Sequence, residues 1–475
     1  MIFRSRRPAL GATSRHGRVR RWFLSLATAG LLLSTLLVSP LQAQAAVAAP
    51  KLTVTDQTIS WQRVQHGRKF VRNYELATIR NPTTTRDTTY RIVRCCAVTP
   101  PAVPGETVRY TLRANVNGSP WADDVSITYP PAGIDPLAPV RGINTNVTGW
   151  GSQGPQVLSE MSALGANWIR EDLSWARSEP SRGVFDWSSF DNTVALARAA
   201  GFQILPILGY APAWSSPNNA ADFGNFVAAA VSRYGPGTTA DITYFEVWNE
   251  PYYAYAWSGM APDAGQYAND YVAAVTAGRA ANPAAKFLIS ADNADAPKSG
   301  GSCPWNTCWI EDMFTAEPTL SSYIDGISFH PYTQDGPANP LAEDSTFRSV
   351  TGNWAFARID VAQRVFAERG VNAPFWITEV GWSTCPGADE CVSEATQAAY
   401  YQDLFPLIDA RPWIQAVFPY MGRDCCNSDP ADEQQYFGLA RWPDQSHKPA
   451  WDAVRNGYLT LWGGLDRPHM PSLTR

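Results

Sequence analysis

The chain has 475 residues, 45% of them hydrophobic and 17% charged, with 38 Lys and Arg against 43 Asp and Glu. This is a globular composition, long enough for more than one domain. A formal charge of −5 excludes a strongly basic nucleic-acid binder.

Residues 1–45 carry seven arginines and no Asp, Glu or Lys. Within them an apolar run from Trp22 to Val38 leads to Pro40 and the small-x-small pattern Ala43-Gln44-Ala45. That order is the one a secretory signal peptide shows. The run is 17 residues long and interrupted by Ser25, Thr28, Gly30, Ser34 and Thr35, against roughly 20 apolar residues for a membrane span. Arg20-Arg21-Trp22-Phe23-Leu24 resembles a twin-arginine export signal, and a general secretory signal with a long basic start fits nearly as well. The expectation is a secreted, extracellular protein with no membrane segment after cleavage. Removing 45 of 475 residues leaves 430, with 31 Lys and Arg against 43 Asp and Glu, a formal charge of −12. That argues against nucleic acid or an anionic membrane surface as partner, and leaves neutral carbohydrate open.

Residues 51–130 read as all-β. The strand candidates are Leu52–Val54, Ile59–Trp61, Phe70–Tyr74, Tyr90–Val93, Val108–Leu112 and Val125–Tyr129, punctuated by turn residues. They predict a small sandwich, immunoglobulin-like or fibronectin-like. Nothing in its sequence favours ligand binding, so it is read as structural. Residues 131–140, with Pro131, Pro136 and Pro139, suit a semi-rigid linker.

From Arg141 to Leu461 strands alternate with helices, the pattern of a parallel α/β fold. Strand candidates are Arg141–Val147, Asn167–Glu171, Gln203–Leu208, Ile242–Trp248, Lys286–Ser290, Gly326–Phe329, Phe375–Thr378 and Gln415–Pro419. Helical patterns follow them at Pro155–Leu164, Phe190–Ala200, Asp222–Tyr234, Ala264–Ala281, Trp309–Ala316, Trp354–Arg369, Ser393–Ala410 and Pro449–Leu461. Eight such units predict a (β/α)₈ TIM barrel, whose chemistry sits at the C-terminal strand ends. Residues 462–475 form a tail.

Two glutamates fall at such ends. Glu250 closes Trp248-Asn249-Glu250-Pro251 after strand four, and Glu379 follows strand seven before Val380-Gly381-Trp382. An exposed loop carboxylate is the usual state of Glu. Two of them at strand ends of one barrel are instead what cleavage of a sugar–sugar bond requires: an acid for the leaving oxygen and a nucleophile for the anomeric carbon.

These residues resemble a clan A retaining glycoside hydrolase, nearest to family 39, with family 5 close behind. Gly142-Ile143-Asn144, Trp168-Ile169-Arg170 and Phe185-Asp186-Trp187 are similar to such enzymes. The β domain ahead of the barrel departs from family 39 xylosidases. The resemblance implies Glu250 as acid/base and Glu379 as nucleophile, with carboxyl groups about 5 Å apart. Asn249 is expected to bind the sugar 2-hydroxyl. Arg170 is placed to stabilise the charge of Glu379, with Glu171 or Asp172 as competing partners. His330 and Tyr332, after strand six, are expected to border the sugar and hydrogen-bond the nucleophile.

Aromatics crowd the same loops: Trp150, Trp175, Tyr210, Trp214, Tyr252, Tyr253, Trp257, Trp305, Trp309, Trp382 and Tyr420. Trp214 and Trp382 are the expected sugar platforms, and Trp309 is expected to face the core. Eight cysteines, all after the leader, fit an oxidising compartment. Cys303–Cys308 and Cys385–Cys391 are predicted disulfides, while Cys95, Cys96, Cys425 and Cys426 allow three connectivities. No Cys-x-x-Cys pair occurs and only five His are present, so no metal is expected, nor any cofactor.

The leading expectation is therefore a secreted, monomeric retaining glycoside hydrolase acting on a polysaccharide or oligosaccharide. A catalytically inactive carbohydrate-binding or cell-wall protein on the same barrel is the rival. The glutamate pair argues against it. A lyase or aldolase would want a Lys at a strand end, and Lys286 only begins one. Within the clan, an α-L-arabinofuranosidase or an exopolysaccharide endo-hydrolase stays open.

Overall fold

The computed structural model describes residues 47–55, 57–79, 88–100, 107–128, 140–291, 308–333, 339–340, 356, 358–386, 391–425 and 432–461. The leader, residues 131–139 of the linker, and the tail lie outside them. So do Trp305, Cys303 and Cys426. Among the described residues no helix is long and apolar enough to cross a membrane.

The described residues of the N-terminal region form nine short strands: β1 (Leu52–Thr55), β2 (Thr58–Trp61), β3 (Gln65–His66), β4 (Lys69–Phe70), β5 (Asn73–Ile79), β6 (Thr88–Arg94), β7 (Ala97–Val98), β8 (Thr107–Ala114) and β9 (Val125–Thr128). They form a three-stranded sheet β1-β2-β7, a four-stranded sheet β6-β5-β8-β9 and a β3-β4 hairpin. Inward residues of both larger sheets, including Ile59, Trp61, Tyr74, Leu76, Val108 and Leu112, share one apolar core. Trp61 meets Tyr74 edge-on at 5.3 Å, and the Tyr74 hydroxyl accepts the Val64 N–H at 2.8 Å. The expected strand Phe70–Tyr74 is broken. Val71 N–H turns back to Val64 O at 2.9 Å, closing the hairpin around Gly67, whose φ of 60° suits a residue without Cβ.

The second region is a closed parallel barrel of eight strands in sequence order. They are β10 (Val140–Asn144), β11 (Trp168–Ser174), β12 (Gln203–Gly209), β13 (Tyr244–Val247), β14 (Lys286–Ala291), β15 (Gly326–Phe329), β16 (Phe375–Val380) and β17 (Ile414–Pro419). All eight expected strands are present. Val140, assigned to the linker, already belongs to the first. Around them lie α1 (Gly154–Leu164), α2 (Trp175–Ser178), α3 (Ser188–Ala199), α4 (Ala220–Tyr234), α5 (Ala264–Ala281), α6 (Cys308–Ala316), α7 (Arg358–Glu368), α8 (Glu394–Asp409) and α9 (Pro449–Thr460). Side-chain caps fix several helix starts. Asn219, Asp263 and Ser393 accept backbone N–H groups at 3.1, 2.9 and 3.0 Å respectively.

Strand alternation sorts the barrel residues into two cores. Outward residues such as Ile169, Leu173, Phe245 and Ile377 pack beneath the helices. Inward residues Val140, Trp168, Leu205, Tyr244, Leu288, Trp376, Ala416 and Phe418 fill the lumen as an apolar plug. Tyr244 lies 4.6 Å and Trp168 5.6 Å from the Trp376 ring. Above the plug the same strands turn polar, with Asn144, Arg170, Glu246, Ser328 and Thr378 all buried. The plug closes the lower lumen, so the reactive groups gather at the C-terminal mouth.

Cys385 and Cys391 face each other with Cα atoms 5.5 Å apart, a span a disulfide bridges. Cys95 and Cys96 are neighbours whose side chains lie against each other.

Gly457 of α9 tests how tightly the outer layer is packed. A Cβ there would stand 2.1 Å from the Phe405 ring of α8. Ala gains about 1 kcal/mol of helix propensity over Gly, but overpacking a filled core costs about 1–3 kcal/mol. Gly457→Ala should therefore lower the urea midpoint. A raised midpoint would show that the α8–α9 contact is loose.

Candidate active site

The β13 strand ends at Val247, and the chain then bends sharply. Trp248 and Glu250 take φ of 67° and 46°, values unfavourable for residues with a Cβ. Such strain costs about 1–3 kcal/mol per residue and persists only where packing over-determines it. Here Trp248 supplies the packing. Its backbone N–H bonds Leu208 O at 2.7 Å and its indole N–H bonds Ala256 O at 3.0 Å. Its ring meets Trp257 at 5.0 Å and Phe223 at 5.2 Å. The bend holds Glu250 over the barrel mouth.

Glu379 reaches the same point from β16. Plain alternation would put it on the face opposite Thr378, but the pairing of β16 with β17 shifts register between Ile377 and Val380. Its carboxylate enters the mouth with Oε1 2.5 Å from Arg170 Nη1, while Oε2 accepts the Tyr332 hydroxyl at 2.8 Å.

Arg170 binds four partners at once. Nε and Nη2 donate to Glu246 at 2.6 and 3.0 Å, Nη1 also donates to Asn144 Oδ1 at 2.9 Å, and Nη2 to Asn249 Oδ1 at 2.7 Å. Burial disfavours its charge, but Glu246 and Glu379 outweigh that and hold the guanidinium firmly protonated. The competing partners lie elsewhere. Glu171 points away from Arg170 and accepts from Thr145 and the Val147 N–H. Asp172 accepts the Tyr210 hydroxyl at 3.0 Å. Because Arg170 can only donate, Asn249 must turn its oxygen to it, which leaves the amide N–H₂ for a ligand.

His330 bonds Glu250 Oε1 through Nδ1 at 2.9 Å and stands 3.7 Å from Glu379 Oε2. This corrects one expectation: Tyr332 binds Glu379 directly, whereas His330 serves Glu250. Burial lowers the affinity of His330 for a proton, but the charges of Glu379 and Glu250 reverse this and raise its pKa. Burial likewise opposes the charge of Glu379. His330, Arg170 and the Tyr332 hydroxyl outweigh it, and its pKa falls below the ordinary carboxylate value. The stability this contributes is present above the unfolded carboxylate's titration range and is lost as pH falls through the lowered value.

One donor atom each from Glu250, His330 and Glu379 lies within 4.8 Å of the other two. One oxygen of each carboxylate is thus within 4.8 Å of one oxygen of the other. The same trio could converge on a cation, but Glu379 is already compensated by Arg170 and Tyr332, and we assign it no metal.

A cleft of about 520 Å³ opens here, lined by Asn249, Glu250, Tyr253, Tyr255, Tyr332, Arg358, Glu379, Tyr420, Gln434 and Phe437. Trp214 and Trp382, the expected platforms, do not line it. Trp382 is 4% exposed, donates its N–H to Thr333 at 2.7 Å and packs on Tyr400 and Tyr401. Trp214 donates to Glu179 O at 2.7 Å and sits edge-on to Trp175. Trp175, Tyr252, Trp257 and Trp309 are buried, the last as expected. The sequence reading missed Glu246, Tyr255, Arg358, Gln434 and Phe437. A signal existed for Glu246, a lone acid in an otherwise apolar strand, which requires a buried counter-charge.

The family model described as Cellulase (glycosyl hydrolase family 5) matches residues 132–406. A comparison with curated proteins returned no match. Among solved structures, a family 39 glycoside hydrolase from the gut symbiont Bacteroides cellulosilyticus is 20% identical, with 82% of this chain and 78% of that one covered at TM-score 0.49. A monomeric beta-xylosidase from Caulobacter crescentus is 19% identical, with 68% of each chain covered at TM-score 0.50. An exo-beta-1,4-mannosidase from an Opitutaceae bacterium is 16% identical, with 68% and 59% covered at TM-score 0.48. At these identities the likeness is one of fold. The family match covers more than half of the sequence and both glutamates, and the clan is the one the motifs resembled: the chain belongs to glycosyl hydrolase family 5 and is a retaining O-glycosyl hydrolase.

Proposed function

We propose that the enzyme cleaves a polysaccharide or oligosaccharide by double displacement, with Glu379 as nucleophile and Glu250 as acid/base. The observation that carries this is the carboxylate spacing. Retaining enzymes hold the two groups about 5–5.5 Å apart, whereas inverting enzymes leave about 6.5–9.5 Å for a water, and here one oxygen of each lies within 4.8 Å of the other. The unequal surroundings support the division of labour. Glu379 has a guanidinium and a phenol on its oxygens and a depressed pKa, so it is ionised and ready to attack. Glu250 hydrogen-bonds His330 Nδ1 at 2.9 Å, a partner able to exchange a proton with it as acid and base roles alternate.

In the first step the Glu379 carboxylate attacks the anomeric carbon while Glu250 gives its proton to the departing oxygen. In the second, Glu250 takes a proton from water, whose oxygen displaces Glu379. Asn249 N–H₂ is suited to donate to the 2-hydroxyl, a contact that tightens in the transition state.

We further infer export and cleavage after Ala45, with monomeric action outside the cell. The basic start, apolar run and small-residue site support this. Disulfides Cys385–Cys391 and Cys303–Cys308 would then pin the loops that follow the seventh and fifth barrel strands. Peptide mapping without reduction should recover both as linked pairs, and free thiols at these four positions would refute them. Product analysis against plant, fungal and bacterial glycans identifies the sugar and separates the arabinofuranosidase and exopolysaccharide alternatives.

Substitutions separate the two roles. Glu379→Ala should abolish turnover of every substrate, with partial rescue by azide or formate. Glu250→Ala should keep more activity on an activated aryl glycoside than on the natural glycan, then stall at deglycosylation with a burst and a response to azide. The reverse pattern would exchange the roles.

Tyr332→Phe removes a hydrogen bond that favours ionised Glu379, so the nucleophile's pKa rises. The acid limb of the kcat/KM profile should move to higher pH, with the alkaline limb in place. An unmoved acid limb would show that Tyr332 does not tune Glu379.

A further inference from the structure

The double displacement gives Arg358 no role, although this residue backs the catalytic cleft. Arg358 opens α7 and is 0% exposed. A guanidinium with no accessible surface does not touch the sugar, so its task lies inside the cleft wall. Its Nη2 donates to the His330 carbonyl, and its guanidinium carbon stands 5.6 Å from the centre of the Phe329 ring. The start of α7 is thereby tied to the last residue of β15 and to the residue that follows it.

That carbonyl is shared. A backbone oxygen has two lone pairs, and the one on His330 also accepts the Tyr332 N–H at 2.8 Å. The bond closes a three-residue turn over Pro331, whose ring holds φ near about −65°. The turn presents one side chain to each glutamate. His330 Nδ1 lies 2.9 Å from Glu250 Oε1, and the Tyr332 hydroxyl donates to Glu379 Oε2 at 2.8 Å. One oxygen therefore sets the partners of both carboxylates. The turn's own bond is local to three residues. The bond from Arg358 comes from a separate helix and is charge-assisted, roughly twice as strong as a neutral one.

We propose that Arg358 is a positioning residue for both glutamates: it anchors the His330-Pro331-Tyr332 turn, and so holds His330 on Glu250 and Tyr332 on Glu379. It acts through the turn and touches no substrate. This rests on Glu379 being the nucleophile and Glu250 the acid/base. Glu379 is faced by Arg170 from β11, by Glu250 from the loop after β13, by His330 and Tyr332 from the turn and by Tyr420 after β17, and its charge also reaches Asp172 and Tyr210. Of these, His330 and Tyr332 hang on the turn, and both favour the ionised carboxylate. A displaced turn therefore raises the pKa of Glu379.

The test is made on the intact enzyme with Arg358→Lys, which keeps the charge but exchanges a fixed planar fork for a mobile ammonium. On the glycan that the product panel selects, kcat should fall at least about tenfold, with KM within about twofold of the parent. The acid limb of the kcat/KM profile, which reports ionisation of Glu379 in the free enzyme, should move to higher pH, toward its place in Tyr332→Phe. In the Tyr332→Phe background, Arg358→Lys should move that limb less than it does alone. Arg358→Met removes the donor and the charge and should move it further; where that variant does not fold, Arg358→Lys decides. An unmoved acid limb in Arg358→Lys, an equal move in both backgrounds, or a loss confined to KM would overturn the proposal. Lowered stability with an unmoved limb would make Arg358 a structural residue alone. The nucleophile is read separately, by azide rescue of Glu379→Ala. Rescue there, together with an unmoved limb in Arg358→Lys, removes the anchor and leaves the assignment of Glu379 standing.

Discussion

A buried guanidinium organises this barrel. Arg170 projects from β11 into the lumen just above an apolar plug, where an unpaired charge would be costly, and its donors reach Glu246, Glu379, Asn144 and Asn249. Each partner comes from a different segment: β13, β16, β10 and the loop after β13. Removing Arg170 from such a buried set would cost about 3–5 kcal/mol, because Glu246 and Glu379 would be left without their shared cation. The set extends outward. Ser328 donates to Glu246 at 2.5 Å and contacts Thr378 at 2.6 Å, and Asn144 donates to the Thr378 carbonyl at 2.8 Å. Glu246 neutralises the arginine structurally, so Glu379 can share the same cation and still keep an oxygen edge for chemistry.

The second constraint is steric. Two residues with φ in the left-handed region flank Asn249, and tryptophans packed below hold them there. Glu250 is thereby held at the mouth, where His330 Nδ1 lies 2.9 Å from its carboxylate and 3.7 Å from that of Glu379. Rigid placement of this kind is what lets the two groups alternate in one reaction without moving apart.

Much of this was legible in the sequence because period and position carry it. Eight apolar runs separated by amphipathic helices specify the barrel, and the carboxylates mark its C-terminal mouth. Glu250, Glu379, Arg170, Asn249, His330 and Tyr332 are brought together as the strand ends implied. What escaped depends on contacts that no local pattern encodes. Trp382 and Tyr255 are both aromatics beside the mouth. One finds an acceptor in Thr333 and buries itself, while the other stands in the cleft. The entry of Glu379 into the mouth goes with the register shift in β16, which alternation alone does not reveal. The family, too, needed the whole barrel: Asn249-Glu250 and Glu379 are shared across the clan, and the match over residues 132–406 is what selects family 5 over family 39.

We propose that Glu379, held ionised by Arg170, forms the bond to the sugar. A 2-deoxy-2-fluoro glycoside of the preferred sugar, with an activated leaving group, should form the glycosyl-enzyme and release it slowly. Mass mapping of the digested protein should then place the added sugar on the peptide holding Glu379, in amounts that follow the loss of activity. A label on Glu250, or inactivation with neither glutamate labelled, would contradict the account.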